Sequence, residues 1–193
     1  RRLIYISTTG VYGDQGGARV NEATPVQPQS ERAQRRVDAE RVLRLWGPAH
    51  GVAVTILRVP GIYAANRLPL ERLQTKTPAL LREEDAYSNH IHSDDLARLV
   101  CAAVYRGKPQ RIINACDGTE TKMGDYFDEV ADTFGLERPP RMGAKEVQKA
   151  VSPMLWSFMR ESRRVTNARL PELKIPLRYP SVADFLKTIS KNP

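Results

Sequence analysis

The chain has 193 residues and a mass of 21.7 kDa, with 41% hydrophobic and 27% charged residues, a balance that supports a real core and rules out wholesale disorder. Its longest apolar run, Leu99–Tyr105, is far short of the ~20 residues of a membrane-crossing helix. Two cysteines (Cys101, Cys116) and three histidines (His50, His90, His92) form neither a disulfide framework nor a clustered metal site, so no metal is expected and a reducing, cytoplasmic setting fits best.

The net charge of +8 is uneven: residues 141–193 carry 11 Lys and Arg against 4 Asp and Glu. A basic segment of this kind reads as a solvated face or as a contact for an anionic ligand. No aromatic-interleaved basic stretch points to nucleic acid, and none is expected as a partner.

In chain order, Leu3–Ser7 reads as a strand buried on both faces, the kind found inside a parallel sheet. A domain seldom opens on a central strand, which predicts a further portion before Arg1. Pro25–Ser30 is a loop with Ser30 as N-cap and Glu31 in the first helical turn. Ala33, Val37, Leu43 and Trp46 then share a helical stripe, and Gly47-Pro48 is expected to stop the helix. Val52–Leu57 is a second buried strand, closed by Pro60-Gly61. Strand, helix and strand in this order argue a right-handed parallel crossover.

Tyr63–Ser88 shows no clear strand. Ser93-Asp94-Asp95 is expected to cap a helix running to about Tyr105, with His92 and Asp95 fixing its start and Leu96, Leu99, Val100 and Ala103 on its apolar side. Arg111–Ala115 is a third strand. Thr121 is expected to cap a helix that ends at Phe134 with Gly135 as its stop. From Ala144 the chain reads as mostly helical and basic, with a last helix at Val182–Ile189 after Pro180-Ser181.

Five segments carry a family resemblance: Ser7-Thr8-Thr9-Gly10-Val11-Tyr12-Gly13-Asp14, Leu57-Arg58-Val59-Pro60-Gly61-Ile62-Tyr63, Ile91-His92-Ser93-Asp94-Asp95-Leu96-Ala97, Ile113-Asn114-Ala115-Cys116-Asp117 and Arg164-Val165-Thr166-Asn167-Ala168-Arg169-Leu170. Each is weak alone. In register over nearly the whole chain, they resemble the extended and atypical short-chain dehydrogenase/reductases of the NAD(P)-binding epimerase/dehydratase type.

The resemblance implies an α/β fold, a Rossmann-type doubly wound parallel sheet with a smaller, mainly helical substrate region. Residues 1–63 and 92–116 would be the C-terminal half of the dinucleotide-binding domain; residues 64–91 and 117–193 would bind substrate. The glycine-rich phosphate-binding turn of that family is not in this sequence. Also implied are NAD or NADP as cofactor, a nucleotide sugar or related carbonyl compound as substrate, and a homodimer.

The family works with a Ser or Thr hydroxyl and a Tyr-x-x-x-Lys pair, the Lys lowering the Tyr pKa. By the resemblance Thr8 takes the hydroxyl position. Arg32 stands where the Tyr is expected and Arg36 where the Lys is expected. Arginine stays protonated and is no general base, but it can polarise a carbonyl, hold an anion or bond a ribose hydroxyl. Thr8, Arg32 and Arg36 are therefore the candidate catalytic residues, and Arg36, Pro60, Gly61 and Ile62 the candidate cofactor contacts.

Two phenols, Tyr12 and Tyr63, read as packing rather than chemistry. No Arg lies in Tyr87–Ile91 to clamp a diphosphate; His90, or Arg160, Arg163, Arg164 and Arg169 in the basic segment, are the remaining candidates, Arg163 and Arg164 foremost. Two functions follow: an oxidoreductase or epimerase with unorthodox acid/base groups, or a catalytically silent dinucleotide-binding module.

Overall fold

The computed structural model describes residues 1–189. Strand β1 (Arg2–Thr8) leads through a 3-10 turn, Thr9–Tyr12, and a loop to helix α1 (Glu31–Ala49), then β2 (Ala53–Val59) and a short β3 (Gly61–Tyr63). After a helical turn at Leu70–Gln74 come β4 (His90–His92), α2 (Ser93–Arg106), β5 (Arg111–Asn114), α3 (Met123–Phe134), α4 (Ala144–Ala150), α5 (Pro153–Met159) and α6 (Val182–Ile189).

The main sheet has the order β1-β2-β5 and is parallel throughout, with Leu3 opposite Val54 and Ile56 opposite Ile112. The two strands expected from their apolar runs are thus neighbours in one parallel sheet, but β1 is not buried on both faces as expected: it is an edge strand of the three, partly exposed along its length, with Ile6 45% exposed. Period-2 alternation sends their side chains to two cores. On one face Val54, Ile56 and Ile112 are buried, with Leu43 of α1 packed on them. On the other, Leu57, Val59 and Ile113 pack with Leu99 and Ala103 of α2 and with Leu170 and Leu173. A fully buried leucine such as Leu99 contributes about 1.5–3 kcal/mol by removal from water. The result is a helix–sheet–helix sandwich. A third core joins α3 and α6, where Tyr126, Phe127 and Val130 meet Val182, Phe185 and Leu186.

Helix α1 corrects two expectations. Ser30 caps it as predicted, its hydroxyl accepting from the Ala33 N–H at 3.2 Å. The helix continues through Gly47 and Pro48 to Ala49, so this pair is not the stop. Gly47 is instead the point of closest approach to the sheet: a Cβ there would lie 2.7 Å from Val54 Cγ2 and 2.8 Å from the Val52 carbonyl oxygen. Trp46 turns outward, 39% exposed and stacked on His50, while Glu40 and Gly47 take the buried stripe with Ala33 and Val37.

Of the next two caps, one follows the expectation that His92 fixes the start of its helix and the other does not. The N-cap of α2 is His92, whose Nδ1 accepts from the Asp94 N–H at 3.2 Å. Asp95, completely buried, accepts from the Arg178 and Tyr179 N–H groups, each at 2.8 Å, and so ties the distant chain to α2. Thr121 lies in a two-residue strand beside Ser88 rather than capping α3; Asp85 does that work from a loop, its Oδ2 accepting from the Gly124 N–H at 2.8 Å. Gly135 closes α3 as expected, at φ 62°.

The segment after Ala144 is helical only in part. Between α5 and α6 it runs back along the molecule: Arg164 and Val165 pair in parallel with Arg19 and Val20, and a 3-10 turn follows at Leu170–Leu173. Pro171, Pro176 and Pro180 have no N–H to continue a helix there.

Candidate functional site

A cavity of about 380 Å³ opens beside the carboxyl ends of β1 and β2. In open α/β sheets this edge is where ligands sit. Thr8, Thr9 and Gly10 form one wall as β1 ends. Ser30, Arg32 and Ala33 come from the first turn of α1, and Pro60 and Gly61 from the β2–β3 link. Tyr87 to His90, Met123, Phe158, Glu161 and Arg163 close the remaining sides.

Buried pairing fixes α1 against the sheet. Glu40 accepts from Ser7 Oγ at 2.5 Å, from Arg58 Nε at 3.1 Å and from Arg58 Nη2 at 2.7 Å. Arg58 also covers the Tyr12 ring, 4.8 Å from its centroid. Glu40 and Arg58 are 3% and 4% exposed, so the pair is desolvated as well as hydrogen-bonded. Ser7 immediately precedes Thr8, and Arg32 lies two turns before Glu40 on the same helix. The pair therefore ties the helix that carries Arg32 to the strand end that carries Thr8.

The predicted residues come together in part. Thr8, Arg32, Pro60 and Gly61 all line the cavity. Thr8 Oγ1 accepts from the Gly10 N–H at 3.1 Å, which caps the 3-10 turn and leaves the hydroxyl proton free to donate inward. Arg36 is not among the lining residues; its Nη1 donates to the Tyr5 hydroxyl at 3.0 Å, with the guanidinium 5.8 Å from that ring's centroid. Ile62 is partly buried against the core below α2.

Of the basic residues beyond position 159, Arg163 reaches the cavity. Its Nη1 donates to the Gly13 carbonyl at 2.7 Å and to Glu161 Oε2 at 2.8 Å. Gly13, at φ 67°, admits no side chain, since a Cβ would lie 2.0 Å from the Gln27 carbonyl oxygen. Asn89 clamps this stretch, donating to the Arg163 carbonyl at 3.0 Å and accepting from the Val165 N–H at 2.8 Å. Arg164 pairs with Glu120 at 3.3 Å and covers Tyr87, and Arg169 donates to the Ile112 carbonyl at 3.3 Å, so both are engaged elsewhere.

Tyr12 and Tyr63 are packed as the sequence suggests. Tyr12 donates to Asn114 Oδ1 at 2.8 Å and Tyr63 to the Ser181 carbonyl at 3.3 Å; burial pushes both phenols up, away from acid/base work near neutrality.

His90 is a more substantial member of the site than its sequence context indicates. It lines the cavity at 7% exposure, its Nε2 lies 3.2 Å from Ser88 Oγ, and its Nδ1 has no partner. Burial pushes its pKa down to about 4, so the ring is neutral at pH 7 and presents a hydrogen-bonding nitrogen rather than a charge. Phe158 carried no signal in the sequence; α5 brings its ring to 4.4 Å from the Arg32 guanidinium.

Among known proteins, 138 residues of the chain are 28% identical to Protein YeeZ of Escherichia coli K12, covering 72% of this chain and 48% of that one. The chain thus spans about half the length of the curated relatives it first matches. Among solved structures, a functionally unknown conserved protein from Silicibacter pomeroyi superposes with a TM-score of 0.85 at 31% identity, over 100% of this chain and 66% of that one. The human epimerase family protein SDR39U1, solved with NADPH, superposes with a TM-score of 0.82 at 15% identity and the same coverage, a likeness of fold. Residues 1–116 match the model of one family over its strand–helix–strand core and its cavity-forming turns. The chain belongs to the NAD dependent epimerase/dehydratase family.

Proposed function

We propose that the protein is an NAD(P)-dependent oxidoreductase or epimerase acting on a nucleotide sugar or related carbonyl compound, with Thr8, Arg32 and His90 facing the substrate. The observation that carries this reading is the convergence of the Thr8 hydroxyl, the Arg32 guanidinium and the β2–β3 link on one cavity at the carboxyl edge of a parallel sheet. We assign residues 1–63 and 92–116 to the dinucleotide-binding unit and residues 64–91 and 117–193 to substrate binding.

The residues present fit the nicotinamide end of a dinucleotide. The cavity margin at Gly10 and Gly61 exposes backbone without side chains, and a Cβ at Gly10 would meet nothing within 4 Å but the Thr8 side chain. Thr8, Pro60 and Gly61 would border the ring. When bound, the nicotinamide supplies or accepts a hydride. The Thr8 proton bonds the substrate oxygen, Arg32 draws charge onto that oxygen or holds a neighbouring anion, and neutral His90 fixes a second polar group. Arg36, held on Tyr5, stands on the helix face that bears the family's Lys and is assigned to the cofactor side.

A second reading, a catalytically silent dinucleotide-binding module, is supported by the two arginines at the Tyr and Lys positions. The test is to titrate the full-length protein with NADH and NADPH by fluorescence, then to follow turnover over a nucleotide-sugar panel. Binding with turnover supports the enzyme; binding without it supports the module; no binding refutes both. We further read the protein as cytoplasmic and as a homodimer, in keeping with its two free thiols and with Val42 and Leu45 at 62% and 78% exposure on the outer side of α1. Light scattering at the mass of two chains is the expected result. Among the described residues no helix is long and apolar enough to cross a membrane.

A further inference from the structure

The cavity has an unbalanced charge. Its lining holds three ionised side chains at neutral pH: Arg32, Arg163 and Glu161. Arg163 and Glu161 are 2.8 Å apart, both side chains 12% exposed, and compensate one another. No carboxylate among the described residues pairs with Arg32; its neighbour Glu31 pairs with Arg35 at 3.4 Å. Nor does Arg32 donate to an oxygen of any described residue. Among the described residues its one specific contact is the Phe158 ring, 4.4 Å from the guanidinium carbon to the centroid. An arginine stacked in this way keeps its planar fork of donors in a fixed direction and loses little freedom on binding. The fork suits an oxyanion, which accepts two parallel hydrogen bonds. The second pointer is His90 in the same wall, a neutral ring 7% exposed whose Nε2 lies 3.2 Å from Ser88 Oγ and whose Nδ1 has no protein partner.

We propose that the reacting end of the substrate carries an oxyanion, a carboxylate or a phosphate, and that Arg32 on its Phe158 platform receives it while His90 hydrogen-bonds an uncharged polar group beside it. Because Arg32, His90 and Thr8 line one cavity of about 380 Å³, the anion lies close to the carbon that meets Thr8, not on a distant part of a larger ligand. This makes the ligand class a sugar acid, a sugar phosphate or a comparable hydroxy or keto acid, and it makes Arg32 a specificity residue. The inference rests on reading the cavity as the substrate site.

The test is calorimetric titration of the full-length protein, with and without saturating NADPH, using D-glucuronate, D-glucose 6-phosphate and D-glucose. The three probes share a ring and differ in bearing a carboxylate, a phosphate or neither. The expected result is that at least one anion binds about tenfold or more tightly than glucose, and the stronger of the two names the oxyanion. Arg32→Gln is expected to abolish that preference, a loss of about 10- to 100-fold for charge-assisted hydrogen bonds. Arg32→Lys keeps the charge and recovers part of it. Phe158→Leu weakens the anion several-fold, and Arg35→Gln, on the same helix but paired with Glu31, changes nothing. Circular dichroism and thermal melts verify that each variant folds. Equal affinity for anion and glucose, an anion preference that survives Arg32→Gln, or binding of none of the three overturns the proposal. NADPH and NADH fluorescence on the same samples separates the two readings. Wild type that binds neither NADPH nor NADH refutes the proposed function, and the titration without a dinucleotide still decides the role of Arg32.

Discussion

Removing the Glu40 carboxylate is the sharpest test of how the site is built. Glu40→Ala leaves the Arg58 guanidinium 4% exposed with no counter-charge, and its Nη1 already has no partner. Breaking a buried pair from one side costs about 3–5 kcal/mol, because the remaining charge stays desolvated. The Ser7 hydroxyl loses its 2.5 Å acceptor as well, a further cost of about 1 kcal/mol. The total, about 4–6 kcal/mol, is a large share of the 5–15 kcal/mol that holds a typical domain together. Urea unfolding of the full-length protein measures it through the midpoint. Glu40→Leu combined with Arg58→Met removes both charges and restores apolar volume, and should recover most of the loss. A Glu40→Ala cost below about 1 kcal/mol, or a double variant as unstable as the single one, would refute the claim that this pair fixes α1 to the sheet.

Three other outcomes are expected. Gly47→Ala forces a Cβ to within 2.8 Å of the Val52 carbonyl oxygen, so it should destabilise by about 1–3 kcal/mol in the same unfolding assay despite alanine's better helix propensity. His90 is pushed down to about 4 in the fold, so its contribution is fully present above the ordinary histidine pKa and is lost as pH falls toward 4; relative to His90→Gln, wild type should lose up to about 3 kcal/mol between pH 6.5 and 4, read from unfolding midpoints against pH. Arg32→Tyr with Arg36→Lys should create or raise dehydrogenase-like turnover in the full-length protein, on the order of 10²–10⁴-fold, because a Tyr beside a Lys cycles a proton where two arginines do not.

Local patterns made the sheet legible. Leu3–Ser7, Val52–Leu57 and Arg111–Ala115 are short apolar runs that turn signals bound, and each lies on a strand of the three-stranded sheet. The helix caps were harder, because Asp85 reaches α3 from a loop 39 residues away, and no local spacing encodes that. Trp46 and Gly47 show the limit of a hydrophobic stripe: the sheet comes too close for an indole, so the glycine faces inward and the tryptophan turns to solvent. Thr8 and Arg32, which line the cavity, are legible as candidates, Thr8 from the motif it sits in and Arg32 from its place where the family's Tyr is expected. Phe158 was not, since it meets Arg32 only when the chain returns through α5. His90 was in view as an ambiguous histidine; its burial and its unpartnered nitrogen are properties of packing. Glu40 and Arg58 left a faint trace as charges inside apolar stretches, which tertiary pairing alone explains.

The proposed function places dinucleotide-dependent chemistry in the Thr8–Arg32 cavity. NADPH and NADH fluorescence titration of the full-length protein, comparing wild type with Gly10→Trp, tests it most directly. Gly10 lines the cavity with Thr8 and Gly61, so a tryptophan there adds bulk at its margin. Wild type should bind at least one dinucleotide saturably, and a folded Gly10→Trp variant should bind it at least about tenfold more weakly. A wild type that binds neither, or a folded variant that binds as tightly as wild type, would contradict it.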